Sequence, residues 1–480
     1  MSMFARKPLA ALMNDAGADS LKRTLGPVQL VALGIGAIIG AGLFSLTGIA
    51  ASQNAGPAVV LSFFVASVGC AFAGLCYSEF ATMIPIAGSA YTYAYATMGE
   101  LLAWIIGWDL VLEYAVGAAT VGVSWSRYVL SFLQDFGIHF PTQFASSPFE
   151  PITLPESGLV ISGIVNLPAM FIVCCISILL IVGIQESARV NAVIVALKVA
   201  VVIVFIALGW AYIDPNNFTP FIPENTGTFG VFGWSGVLRG AGLVFFAFIG
   251  FDAVSTAAQE AKNPQRDMPI GIIGSLAVCT VLYVLFSHVL TGIVNYTELN
   301  SAAPVALAVD RTDYRWLRPA IKLAIIAGYT SVILVMLLGQ SRVFFSMSRD
   351  GLLPKLFSDV HPKFRTPWRS NLLFMVLTGL LAAIAPIQVL GEATSIGTLF
   401  AFVLVCGGVL IMRKTHPEVK RPFRTPWVPL IPLLGIGFNL TLMAGLGWTN
   451  WARLFGWMAV GLLIYFTYSR KHSITHGLKR

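Results

Sequence analysis

Near the middle of the apolar stretch RVNAVIVALKVAVVIVFIALGW (189–210) stands a single lysine, Lys198. Arg189 lies nine residues before it and Trp210 twelve after, which at the α-helical rise places the ammonium roughly 13–18 Å from either end of the stretch. That depth is beyond an easy snorkel to water, and a lysine at a bilayer centre costs on the order of 2.5–3.5 kcal/mol on insertion scales. Three uses would justify it: an ion pair with a buried carboxylate, a Schiff base to a retinal-like chromophore (which belongs with a different number of spans), or an amine facing a hydrated site. Removal from water disfavours the charged form of an amine, so in the third use Lys198 could load and release a proton near neutral pH and act as a coupling group. Glu113 is a second deep charge, about midway between Glu100 and Arg127 in MGELLAWIIGWDLVLEYAVGAATVGVSWSRYV. A carboxylate there must be protonated, paired or facing water, so it either bonds a neighbouring helix as the neutral acid or forms the wall of a polar cavity. A third charge, Asp252, follows Gly250 in FFAFIGFDAVS (245–255), where the positive end of a new half-helix would hold a carboxylate as a cap in preference to a ligand contact.

Other chemistries are not supported. GIGAIIG has glycine spacing reminiscent of a dinucleotide loop but lies inside an apolar span, not between a strand and a soluble helix, and no G-x-x-x-x-G-K-[ST] is present. The six histidines (His139, His288, His361, His416, His472, His476) are scattered without metal-ligand spacing. Hydrolase and metal-site readings therefore fall away, and no cofactor is expected beyond a proton as coupling ion. The six cysteines all fall inside predicted spans, so no disulfide framework is indicated. Triplets at Asn217 and Asn295 match the glycosylation pattern only as often as chance allows.

The elements that must position these charges are membrane helices. Of 480 residues 57% are hydrophobic and 11% charged, with mean hydropathy +0.80, whereas a soluble chain carries about 25% charged residues. Runs of about 20 apolar residues, enough to cross a bilayer, recur throughout. Twelve spans are predicted, near 26–50, 56–80, 98–130, 160–184, 190–212, 237–260, 270–294, 320–346, 371–388, 392–412, 427–447 and 454–469. With both termini inside, cytoplasmic segments hold 22 of the 30 Lys and Arg, the bias expected of inner loops. The polar, basic first 25 residues do not read as a cleaved signal peptide, so the first span is expected to act as the insertion signal. The net charge of +8 is then topology and lipid-headgroup attraction, and no nucleic-acid partner is required.

Two spans carry interruptions. The first contains GIGAIIGAGLF (34–44), with glycines at 34, 36, 40 and 42, and the sixth contains Gly250 followed by Asp252. Gly40 and Gly250 lie 210 residues apart and each opens a block of five spans. Glycine alone is weak evidence, since small residues also pack membrane helices together. Interruptions at matching positions in two halves, however, point to an inverted-repeat transporter with its site at the breaks. The expected organisation is a cytoplasmic tail (1–25), a first five-helix repeat (26–212), a second, inverted repeat (237–412), helices 11 and 12 (427–469) and a cytoplasmic tail (470–480): an all-α polytopic membrane protein. No soluble domain is present.

On GAIIGAGLF (36–44), IPIAGSAYTYAY (84–95), LEYAVGAATVGVSW (112–125), QESARVNAVIVALK (185–198), FFAFIGFDAVSTAAQEAKNPQRDMP (245–269) and GQSRVFFSMSRDGLLP (339–354), the chain resembles the amino acid–polyamine–organocation superfamily and, within it, the bacterial type of the cationic amino acid transporter family. The resemblance implies two intertwined five-helix repeats with discontinuous helices 1 and 6. It implies a substrate α-carboxylate on the amides of Gly40, Ala41 and Gly42, and an α-amine on carbonyls at Ile38, Ile39, Phe246, Ala247 and Ile249. It places Phe246 as an aromatic gate, Met336 against the substrate side chain, Glu113 at an acidic position of span 3, and Lys198 where sodium sits in sodium-coupled relatives. Ala41 departs from members with a hydroxyl residue there, and a bulky Met336 implies a smaller pocket than an arginine carrier needs. The expectation is a secondary transporter in the cell membrane that moves L-amino acids with protons by alternating access, small neutral ones ahead of cationic ones. An exchanger or polyamine carrier is the nearer alternative. A transport-inactive sensor, docking a partner on the basic loops 347–370 and 413–426, is the more distant one. The sequence names no small membrane-protein partner.

Overall fold

The computed structural model describes residues 25–83, 89–153, 160–183, 188–256, 258, 261–301 and 303–474. The N-terminal tail, apart from Leu25, lies outside the described residues, as do 475–480, positions 84–88 of IPIAGSAYTYAY and 185–187 of QESARVNAVIVALK.

The chain is mostly helical. Among the described residues six helices are long and apolar enough to cross a membrane: Gly42–Met83, Glu100–Gln134, Ala192–Tyr212, Pro264–Ile293, Arg315–Arg349 and Ile387–Thr415. The first of these is broken at Gly56, where φ +62 and ψ −147 suit a residue without a side chain. Shorter apolar helices run Pro27–Ile38, Leu167–Val182, Gly233–Phe248 and Trp368–Ile384, and Leu430–Gly445 meets Trp448–His472 at 111° across Gly447. Large apolar side chains face outward along these helices, Phe171, Val281, Leu323, Leu380 and Leu463 among them, while glutamates, aspartates and tyrosines lie inside. That inversion suits a lipid surround and would be a liability in water.

Close packing through glycine fixes the first helix. A Cβ on Gly34 would fall 2.5 Å from Ser275 Oγ, one on Gly271 2.8 Å from Leu30 Cβ, and one on Gly36 2.3 Å from Val195 Cγ2. Pro27–Ile38 is thus wedged between Pro264–Ile293 and the helix Ala188–Gly209 that carries Lys198, with no room for a methyl group, as small residues allow in membrane bundles.

Two sequence expectations are corrected here. The loop predicted over 132–159 contains a strand, Pro151–Thr153, paired antiparallel with Val160–Ser162, so the fold is not purely helical. The span expected from 160 begins instead at Leu167. Asn166 sets that start: its side chain accepts from the Ala169 amide at 3.1 Å and from Ser126 Oγ at 2.7 Å, with Pro168 in the first turn.

The helices that carry Gly40, Gly250 and Glu113 are each irregular near these residues. Pro27–Ile38 stops at Ile39, which is extended (φ −70, ψ 109), and the helix resumes through Ala41 into a π turn over Gly42–Leu46. Gly233–Val244 passes into a 3₁₀ turn, Phe245–Phe248, then an extended Ile249 (ψ 135) and Gly250 at φ +113, before Ala253–Thr256. A π turn over Leu112–Val116 separates Glu100–Val111 from Gly117–Gln134 and carries Glu113.

Candidate functional site

The two interruptions cross in contact. A Cβ on Gly42 would lie 2.2 Å from Ala247 Cα, and one on Gly250 2.9 Å from the Ala37 carbonyl oxygen, so each glycine lets its own chain touch the backbone of the other break. Gly40 faces Val332 of the Arg318–Arg349 helix, with 3.4 Å to the position its Cβ would take. Leu43 and Phe44 both donate to the Gly40 carbonyl, at 3.2 and 3.3 Å. The amides of Gly40, Ala41 and Gly42 therefore stand at the opening of a helix with no preceding turn to bond. They offer donors and the positive end of a dipole to an anion.

On the facing break the Ile249 amide donates to the Phe246 carbonyl at 3.2 Å, and Tyr283 Oη donates to the Ala247 carbonyl at 2.9 Å. Two of the carbonyls assigned to an amine thus already accept one hydrogen bond, and each keeps a second lone pair. Ile38, Ile39, Ala41, Phe246, Ala247 and Ile249 are all buried. Met336 is buried as well, and its Sδ lies 3.2 Å from the position of a Cβ on Gly117, beside Thr394 Cγ2 at 3.4 Å. Val332, Met336, Gly117 and Thr394 thereby gather along one side of the crossing. Sequence reading reached only Met336 of these four, by its place before the RDG turn, because valine, glycine and threonine are ordinary in membrane helices.

Lys198 is 1% exposed. Its Nζ donates to the Gly36 carbonyl at 2.8 Å, four residues before Gly40. Its methylene stem lies on Gly328, where a Cβ would meet Cε at 3.0 Å and Cγ at 3.1 Å. The side chain therefore joins three helices just behind the first break, and its described bond goes to a backbone carbonyl.

The acidic groups lie together elsewhere. Glu113 faces Asp252 and the Thr398 hydroxyl, with Asp109 the next charge. Tyr114 Oη donates to Asp252 Oδ2 at 3.2 Å, so the described bond of Asp252 ties the second break to the middle helix as well as any cap it makes. Sequence reading missed Asp109 and Tyr114. A signal for the first existed, since Asp109 and Glu113 are four residues apart and share a helix face.

At the ends of the bundle, three acids are gripped by cations. Glu79 is bonded at both oxygens by Arg413 (2.9 and 2.8 Å), approached by Arg421 (3.2 Å), and accepts from the Thr425 amide. Glu392 accepts from Arg239 at 3.1 Å and Asn450 at 2.8 Å, with Arg453 at 3.8 Å. Asp135 takes Lys322 and Arg318 at 2.7 and 2.8 Å.

Residues 25–465 match the family model described as amino acid permease. The chain is 47% identical over 476 residues to the branched-chain amino acid permease BcaP of Bacillus subtilis, covering 98% of both. It is 44% identical to the methylthioribose transporter of the same organism, across 98% of this chain and 99% of the relative. It is 36% identical to the vacuolar cationic amino acid transporter 4 of Arabidopsis thaliana, across 87% of this chain and 68% of that protein. A family match over most of the length, with relatives of this identity, makes the chain a transporter and not an enzyme, and it belongs to the amino acid permeases of the amino acid–polyamine–organocation superfamily.

Proposed function

We propose that this protein is a proton-coupled symporter of L-amino acids that works by alternating access. It would cross the cell membrane twelve times with both termini cytoplasmic, its first ten spans forming two inverted five-helix repeats. The observation that carries this reading is the crossing of the two helix breaks, Gly42 on Ala247 and Gly250 on Ala37. It sets the free amides of one break beside the carbonyls of the other, the pairing of donors and acceptors that a zwitterion needs. The α-carboxylate takes the amides of Gly40, Ala41 and Gly42. The α-amine takes the remaining lone pairs at Ile38, Ile39, Phe246, Ala247 and Ile249, and Phe246 closes over it. Val332, Met336, Gly117 and Thr394 receive the side chain.

That wall is apolar but for the Thr394 hydroxyl and Met336 sulfur, which supports neutral substrates ahead of cationic ones; the relatives named for branched-chain substrates extend the favoured range from alanine to valine, leucine and isoleucine. Lys198 is the coupling group. Its proton reports on the first break through the Gly36 carbonyl, and its fixed amine occupies the corner where a sodium ion would otherwise be held.

The test is uptake of labelled alanine, leucine and arginine into proteoliposomes of the purified protein, without sodium, with an inward proton gradient applied or collapsed. Accumulation that needs the gradient supports symport. Gradient-independent uptake appearing only with internal amino acid makes the protein an exchanger. Lys198→Ala is expected to abolish gradient-driven accumulation, and full retention in that variant removes the lysine from coupling.

A further inference from the structure

Three carboxyl groups meet inside the bundle, away from Lys198. Asp109 and Glu113 are each 1% exposed and Asp252 is 0% exposed. Among the described residues no hydrogen-bond donor reaches any carboxylate oxygen of Asp109 or Glu113, and none of the described ion pairs includes either residue. The hydroxyl groups facing Glu113 and Asp252 come from four elements. Tyr77 stands on Val59–Met83, Tyr93 on Ser89–Thr97, Tyr114 on the π turn and Thr398 on Ile387–Thr415. Tyr77 is fully buried, its ring packs against Phe251 and Phe402, and its hydroxyl, which has no described partner, is turned toward Glu113 and Asp252. A polar niche of hydroxyl groups and acids is thus built around Glu113 and Asp252.

An isolated carboxylate in such surroundings is strongly disfavoured, and neighbouring carboxylates cannot all be ionised at once. Asp109 and Glu113 must therefore hold protons while this part of the bundle is closed to water. Asp109 lies one helical turn nearer than Glu113 to the Glu100 end, the end that the basic loops mark as cytoplasmic. We propose that Asp109, Glu113 and Asp252 form a proton store on the cytoplasmic side of the helix breaks, with Asp109 as the relay residue that exchanges protons with entering water. When that side opens, the O–H bond of Asp109 breaks and its proton goes to water. Asp109 is then refilled by the proton of Glu113, so that at each stage one group of the store is ionised while its neighbour keeps a proton. The inference rests on the proton-coupled reading, and it adds a second titrating site to Lys198.

Two measurements test it separately from that reading. The first is infrared spectroscopy of the purified protein at neutral pH, following the carbonyl stretch of protonated carboxyls and its shift in heavy water. The band is expected in the unmodified protein and reduced in Asp109→Asn and in Glu113→Gln; equal band intensity in all three overturns the store, whatever drives transport. The second compares gradient-driven accumulation with counterflow, which needs no net proton movement. In Asp109→Asn the ratio of the two is expected to fall by about tenfold or more, as loss of a proton-transfer group implies, and Asp109→Glu should restore it. An unchanged ratio, with the infrared band lost, leaves Asp109 a protonated structural acid and overturns the relay. If the unmodified protein itself accumulates substrate without a gradient, symport fails, while the infrared result still decides whether the acids hold protons. Should Asp109→Asn not yield folded protein, Asp109→Glu and Glu113→Gln carry both measurements.

Discussion

The buried acids Glu79 and Glu392 and the buried acids Asp109 and Glu113 are treated in opposite ways. Glu79 has both oxygens held by Arg413 and a further approach from Arg421, which in turn donates to the carbonyls of Pro417, Val419, Met412 and His416. Glu392 and Asp135 are likewise bound by more than one cation. Asp109 and Glu113, equally buried, have hydroxyls and other acids as neighbours. The ends use charge to fasten helices and loops together, and a fastening of this kind works only if it stays ionised. The middle keeps acids that can exist without charge, which suits groups that exchange protons. On the proposed reading, the difference separates residues that hold the bundle from residues that act in it, although both look alike as lone Asp or Glu in apolar sequence.

The comparison can be broken by stability measurements, using a dye that reports exposure of the buried Cys70, Cys76, Cys279 and Cys406 on heating. Glu79→Ala should have the largest effect, on the order of 3–5 kcal/mol, because it leaves two arginines facing a buried gap. A midpoint unchanged from the parent would mean that this latch contributes nothing. Glu392→Gln should cost less, about 1 kcal/mol, since Arg239 and Arg453 are each roughly a quarter or more exposed and water can serve them. Asp109→Asn should lie within about 0.5 kcal/mol of the parent, as one neutral group replaces another of nearly the same shape. A loss as large as that of Glu79→Ala would show that Asp109 is ionised and paired, and the contrast between ends and middle would collapse.

Helix locations were readable because a membrane span is a local, one-dimensional signal: about 20 apolar residues suffice. The interruptions were readable for the same reason, with Gly40 and Gly250 standing out inside apolar runs. The start of the Leu167–Val182 helix was misjudged because Val160–Ser162 is apolar too, and hydropathy does not distinguish a strand edge from a helix end. Within the site, Lys198 announced itself by its depth, but its partner at Gly36 is a backbone carbonyl 162 positions away, which no side-chain pattern encodes. Tyr114 and Tyr283 were passed over because aromatic residues are ordinary in membrane helices. Only packing shows that one hydroxyl reaches Asp252 and the other the Ala247 carbonyl.

The π turn at Leu112–Val116 has a consequence for how such a protein can change over generations. A π turn holds one residue more than an α turn, so side chains before and after it are out of step by about 100°. Removing any single residue from Leu112–Val116 would put the whole helix in one phase, and either Asp109 would leave Gly397 or Gly117 would leave Met336. The turn acts as a phase joint between two stretches of sequence. If the proposed roles hold, substitutions around Gly117 would reshape what is carried without disturbing the acids below it, and substitutions around Asp109 would alter how movement is driven without disturbing the pocket wall. One helix thus presents two separately editable surfaces to selection.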